Sequence, residues 1–163
     1  MDRAKPATAQ CRIRPSIRPA TLEDVPSLIE IEERSFLTDR MSARSFRHLV
    51  TRARADCIVA AIAGRPVGYA AIFYRMGTEV ARLHSLAVDP AAHRAGIGRA
   101  LLSAAEAAVR RRRIPVLRLA VRRDNRAAVR LYRSFEYREI GSEPAYYADG
   151  MAARTREKQL ASR

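Results

Sequence analysis

The stretch from Leu83 to Leu102 constrains this chain more than any other. It reads Leu83-His84-Ser85-Leu86-Ala87-Val88-Asp89-Pro90, then Ala91-Ala92-His93-Arg94-Ala95-Gly96-Ile97-Gly98-Arg99-Ala100-Leu101-Leu102. An apolar strand stops at Pro90, and two glycines one residue apart open a long Ala/Leu-rich helix. A strand that feeds a helix through a short turn demands a layered fold, helix on sheet. Glycines at a helix start let the backbone approach a ligand, and the free N–H groups there carry the positive end of the helix dipole. The pattern therefore predicts a phosphate or pyrophosphate site and a phosphorylated cofactor.

Two common versions of such a site are excluded by the surrounding residues. A dinucleotide fingerprint wants a third glycine and an acid about twenty residues on. Position 101 is Leu, and the following strand offers Arg118. A phosphate loop wants Gly-Lys-Ser/Thr, and this stretch contains no Lys. What remains is a cradle of backbone N–H groups.

With 163 residues and 48% hydrophobic content, one folded domain is expected. No apolar run approaches the ~20 residues of a membrane span, and residues 1–14 lack the apolar segment of a secretory signal. These observations predict a cytoplasmic protein without a membrane partner. Cys11 and Cys57 are too few and too separated for a disulfide framework or a zinc site, which predicts reduced thiols and no metal. The net charge is +14, and Lys occurs only at 5 and 158. Twelve Arg stand between Arg94 and Arg133, against Glu106 and Asp124. Such a surface fits either contact with RNA or the ribosome or a solvated basic face.

Residues 1–12 read as a flexible tail and 13–160 as the domain. A strand is expected from Ile13 to Arg18. Thr21-Leu22-Glu23-Asp24 resembles a capping box with a shortened acid and opens a helix to about Ser35. A second helix is expected from Ser42 to about Ala53, then a hairpin of Cys57–Ala63 with Pro66–Tyr74 turning at Gly64-Arg65. Val80–Val88 is the next strand and Gly96–Arg113 the third helix. Strand 116–121, helix 125–135 and strands near 137–140 and 151–160 complete the order. The class is α/β (α+β), a mixed sheet with helices on both faces.

The second strand–helix unit, Leu119-Ala120-Val121-Arg122-Arg123-Asp124-Asn125-Arg126-Ala127-Ala128-Val129-Arg130-Leu131-Tyr132, follows the first at a suitable distance. Together the two units resemble the GNAT acetyltransferase superfamily over about residues 13–160, in particular the RimI type, the ribosomal-protein-alanine N-acetyltransferases. Tyr146-Tyr147-Ala148-Asp149-Gly150 resembles a segment near the end of catalytic subunits of protein N-terminal acetyltransferases. The resemblance implies a mostly antiparallel sheet of six to seven strands and acetyl-CoA as co-substrate. It implies backbone contacts from Leu86, Ala87 and Val88 to the pantetheine arm and thioester carbonyl. The N–H groups of Arg94, Ala95, Gly96, Ile97, Gly98 and Arg99 would hold the pyrophosphate. Asn125 would bond the cofactor, Tyr132 would protonate the leaving thiolate, and Tyr146 with Tyr147 would position a peptide. The residues themselves also allow Asn125 as a helix N-cap, Tyr132 as core, and the tyrosine pair as strand packing.

Three positions depart from the family pattern. His93 stands where Gln or Arg is usual, and Glu136-Tyr137 replaces Gly-Phe after the last helix. Ala120 stands where the RimI type has a glutamate base, and alanine takes no proton. His84 is the substitute base by position, with Glu32, Glu33 and Asp39 behind it. The expected acceptor is a protein N-terminal α-amine, of a ribosomal protein in the RimI comparison, acted on by a monomer or homodimer. A small amine or lysine, and an impaired acyl-CoA-binding module that contacts RNA, are the alternatives.

Overall fold

A computed structural model describes residues 14–93 and 96–160; the tail and residues 94–95 lie outside the described residues. The elements are β1 (Ser16–Pro19), α1 (Val25–Ser35), α2 (Ala43–Thr51), β2 (Ala55–Ile62), β3 (Arg65–Tyr74), β4 (Val80–Val88), α3 (Ile97–Arg111), β5 (Val116–Arg122), α4 (Arg126–Ser134), β6 (Arg138–Glu143) and β7 (Ala153–Gln159). The strands form one seven-stranded sheet in the order β1-β2-β3-β4-β5-β7-β6. Among the described residues only β4 and β5 pair in parallel; the other neighbours are antiparallel. This is the mixed, mostly antiparallel sheet expected from the sequence.

Local chemistry places the helix starts. Asp24 accepts the Thr21 N–H at 2.8 Å, the acidic half of the capping box. Its carboxylate is also gripped by both Arg18 guanidinium nitrogens at 2.7 and 2.8 Å, which holds its pKa below the ordinary carboxylate value. Ser42 caps α2 by accepting the Ser45 N–H at 3.1 Å.

Each face of the sheet carries its own core. On one face α3 lays Leu101, Leu102, Ala105 and Val109 over Ala60, Ala70, Ile72, Leu117 and Leu119, with Tyr132 of α4 joining them. On the other, Leu28 and Ile31 of α1 and Phe46 and Leu49 of α2 cover Val59, Tyr69, Ala71 and Ala87. Each large aliphatic buried this way contributes roughly 1.5–3 kcal/mol. Gly68 lets β3 sit close beneath α3, since a Cβ there would lie 3.0 Å from Ala87 O and from Leu101 Cδ1.

Strand β4 is irregular in two respects. Ala71 pairs with Ser85 while Ile72 pairs with Leu83, so His84 is an extra residue in a β-bulge. Before it, Ala81 and Leu83 face the α3 core; after it, Ala87 faces the α1–α2 core. Secondly, β4 and β5 pair only over Val80–Leu83 with Val116–Leu119. Past that point the two strands part.

Candidate active site

Where β4 and β5 separate, a cleft of about 750 Å³ opens. Its walls include Leu83, His84, Ser85 and Leu86 of β4, Ala120, Val121 and Arg122 at the end of β5, and Asn125, Ala128 and Tyr132 from the start and body of α4. The loop between α1 and α2, with Phe36, Leu37, Thr38, Asp39 and Met41, closes one side. Tyr146, Tyr147 and Asp149 of the β6–β7 loop close the other. Asp39 accepts the Ala148 N–H at 3.1 Å, so a hydrogen bond joins the two loops across the mouth.

The fold thus brings His84, Leu86, Asn125, Tyr132, Tyr146 and Tyr147 to one cleft, together with Ala120. Gly96, Ile97, Gly98 and Arg99 form the first turn of α3 next to the end of β4; Arg94 and Ala95 lie outside the described residues. The Ala87 and Ile97 side chains are buried in the two cores, which leaves their backbone groups as what they can offer a ligand. His93 donates from Nε2 to Val88 O at 2.9 Å, so that carbonyl already has a partner.

Asn125 is the N-cap of α4: its Oδ1 accepts the Ala128 N–H at 3.1 Å, leaving Nδ2 to donate into the cleft it borders. Tyr132 is 7% exposed and stacks edge-on against Tyr137, with ring centroids 5.8 Å apart. Its ring belongs to the core, yet it borders the cleft, and no hydrogen bond from its Oη forms among the described residues. Burial, then the neighbouring Tyr147, pushes its pKa well above the usual 10.0. It therefore stays protonated at neutral pH. The tyrosine pair lies on a loop rather than a strand. Tyr146 Oη accepts from Arg82 Nη2 at 2.8 Å, and Arg122 lies 4.9 Å over the Tyr147 ring. Arg122 in turn donates to both oxygens of Asp149 at 3.1 and 2.6 Å.

His84 packs edge-on against Phe73 at 5.2 Å. Partial burial, then Arg82, lowers its pKa from 6.5, so the ring is neutral at pH 7. Glu32 reaches the cleft from α1 and is buried, which raises its pKa from 4.5. Tyr69 and Ser85, beside Glu32, escape a reading of the sequence because they look like ordinary strand residues. Only the register across the bulge brings them together.

The residues at α3 fit a phosphorylated coenzyme. Gly96 has φ of +72°, the left-handed region that favours glycine, and α3 has no acid in its first turn. The N–H groups of residues 97–99 precede the first intrahelical bond, Ala100 N–H to Gly96 O at 3.1 Å, and carry the positive end of the helix dipole. A Cβ on Gly98 would meet Leu131 Cδ2 at 3.5 Å and Val88 Cγ2 at 3.9 Å, ordinary contacts, so packing alone does not demand glycine there. Among the described residues, no group of His, Cys, Asp and Glu could hold a metal ion, and no helix is long and apolar enough to cross a membrane.

A sequence profile of the acetyltransferase (GNAT) family matches residues 22–137. The ribosomal-protein-S18-alanine N-acetyltransferase from Escherichia coli is similar with a TM-score of 0.82 and 27% identity, over 91% of this chain and 96% of that one. Ard1 from Thermoplasma volcanium is similar with a TM-score of 0.84 and 27% identity, over 92% and 100% of the two chains. An uncharacterised protein of Mycobacterium leprae is 36% identical over 117 residues, 67% of this chain. The match spans only 28% of that relative's length.

Proposed function

The chain belongs to the acetyltransferase (GNAT) family, and on that premise we propose that it acetylates the free α-amine of a polypeptide N-terminus. Bound acetyl-CoA, the co-substrate, supplies an acetyl thioester. Backbone N–H groups of Gly96 to Arg99 would hold its pyrophosphate, and backbone groups of Leu86, Ala87 and Val88 would orient the arm. Asn125 Nδ2 would donate to the same arm. Tyr132 holds a proton at Oη beside the cleft and is the group placed to deliver it to the departing sulfur; the second N–H proton shed by the attacking nitrogen then restores Tyr132, so no tyrosinate persists in the buried site.

The observation that carries the acceptor is Ala120, which borders the cleft where it opens between the strands. With a methyl group there, no carboxylate at that position takes a proton from the incoming ammonium. An α-amine of pKa near 8 is already roughly a tenth neutral at pH 7, whereas about one lysine in two thousand is. The α-amine is the acceptor that asks least of any base at this site. The double-loop mouth, with Tyr146, Tyr147 and Asp39, suits a polypeptide entering end-on. The Escherichia coli relative, whose name specifies a ribosomal-protein alanine, supports the same class of acceptor.

Release of coenzyme thiol tests the reading. The purified protein receives acetyl-CoA and one of three acceptors: a lysine-free peptide with a free N-terminus, an N-terminally blocked lysine peptide, or a polyamine. The first is expected to react fastest. No turnover with any of the three overturns an amine acetyltransferase.

A further inference from the structure

An ammonium entering this cleft must shed a proton before its nitrogen can attack, and Ala120 cannot take it. A file of hydrogen-bonded side chains lies on the α1 side of β4. Glu32 is 2% exposed; its Oε1 accepts the Met41 N–H at 2.9 Å and its Oε2 accepts the Tyr69 hydroxyl. Tyr69 is 0% exposed, and its Oη lies 2.9 Å from Ser85 Oγ. Ser85 borders the cleft.

The file has a direction. With Glu32 ionised, the single Tyr69 proton points to the carboxylate, so Tyr69 accepts from Ser85. The Ser85 proton is then committed inward, and its lone pairs face the cleft as an acceptor. The bulge at His84 makes this possible, since it turns Ser85 to the side where Tyr69 and Glu32 lie.

We propose that Ser85, Tyr69 and Glu32 form a proton relay that deprotonates the acceptor ammonium, in place of a carboxylate base at position 120. The proposal rests on the amine-acetyltransferase reading above. An N–H bond of the ammonium breaks as Ser85 Oγ takes the proton, the Ser85 proton passes to Tyr69 Oη, and the Tyr69 proton passes to Glu32 Oε2. Ammonium and carboxylate become amine and carboxylic acid, with charge conserved. After the product leaves, the proton returns to solvent by the reverse path. Ser85 is the catalytic residue of the three; Tyr69 and Glu32 are positioning residues that act through it.

The surroundings suit the task. Burial raises the Glu32 pKa above 4.5, which narrows its gap to the α-amine. The groups facing the file are Arg40 from the loop after α1, Cys57 from β2 and the Phe46 ring of α2. Cys57 is pushed up to about 12 by burial and stays a neutral thiol. Asp39, Arg82 and His84 border the same cleft.

The test compares kcat/KM for the α-amine peptide from pH 6 to 10 in the wild type, Glu32→Gln, Tyr69→Phe, Ser85→Ala and His84→Ala, with melting curves and acetyl-CoA affinity alongside. Glu32→Gln keeps the volume, but its amide must donate to Tyr69 if Oε1 stays on Met41, which reverses the file and points the Ser85 proton at the ammonium. Glu32→Gln and Tyr69→Phe are each expected to lose about tenfold at pH 7, the ceiling set by the tenth of the α-amine that is neutral there, with acetyl-CoA affinity unchanged. The deficit shrinks above pH 9, where the amine is neutral unaided. Wild-type rates in both variants, a deficit that is constant with pH, or a loss confined to His84→Ala overturns the relay. A wild type silent toward all amines removes the acetyltransferase reading itself, a different result from an active enzyme with indifferent variants.

Discussion

At position 132 one side chain belongs to the core and also borders the cleft. The Tyr132 ring is held by Tyr137 and the α3 face, while its Oη has no hydrogen bond among the described residues. Burial holds the pKa above 10.0, so the acid form persists through neutral and mildly alkaline pH. An acid must be protonated to act, and a raised pKa extends its working range upward. Tyr132→Phe is expected to lower kcat by about 100-fold and leave acetyl-CoA affinity within a few-fold, measured by steady-state kinetics and calorimetry. An unchanged kcat would remove the acid role. Asn125 is divided in a similar way: Oδ1 caps α4, Nδ2 takes no part in that cap, and the residue borders the cleft.

The strand–helix units were largely legible because their signals are local. Pro90 ends β4, Gly96 opens α3, and Asn125 caps α4, and each can be recognised from one or two neighbours. The bulge at His84 and the divergence of β4 from β5 were not, since both are set by partners ten or more positions away. Tyr69 and Ser85 were missed for that reason, and Glu32 was visible only as one acid among several. At the start of α3, Gly98→Ala introduces only ordinary contacts and improves helix propensity, so the melting temperature is expected to hold or rise. Acetyl-CoA affinity is expected to fall at least about tenfold, because a methyl group stands where the coenzyme must approach the helix start; calorimetry reads it, and unchanged affinity would put the coenzyme elsewhere. Just after α4, Glu136 holds φ of +67°, a left-handed conformation without glycine. Glu136→Gly relieves that strain and is expected to raise stability by about 0.5–1 kcal/mol in denaturant unfolding.

Over the molecule as a whole, charge and cleft have separate origins. Part of the arginine excess is structural: Arg18 holds Asp24, Arg34 holds Asp89 and so ties α1 to the turn after β4, and Arg122 holds Asp149 beside the mouth. Exposed pairs of this kind contribute little stability each, but these fix loops that frame the site. The mouth itself is built from two loops far apart in the chain and joined by Asp39 and Ala148. The decisive measurement gives the enzyme one peptide carrying both a free N-terminus and a lysine, with acetyl-CoA at pH 7, and locates the acetyl group by fragment mass spectrometry. The difference in neutral amine predicts α-acetylation over ε-acetylation by about 100-fold or more. Acetylation mainly at the lysine would refute a site selective for the α-amine.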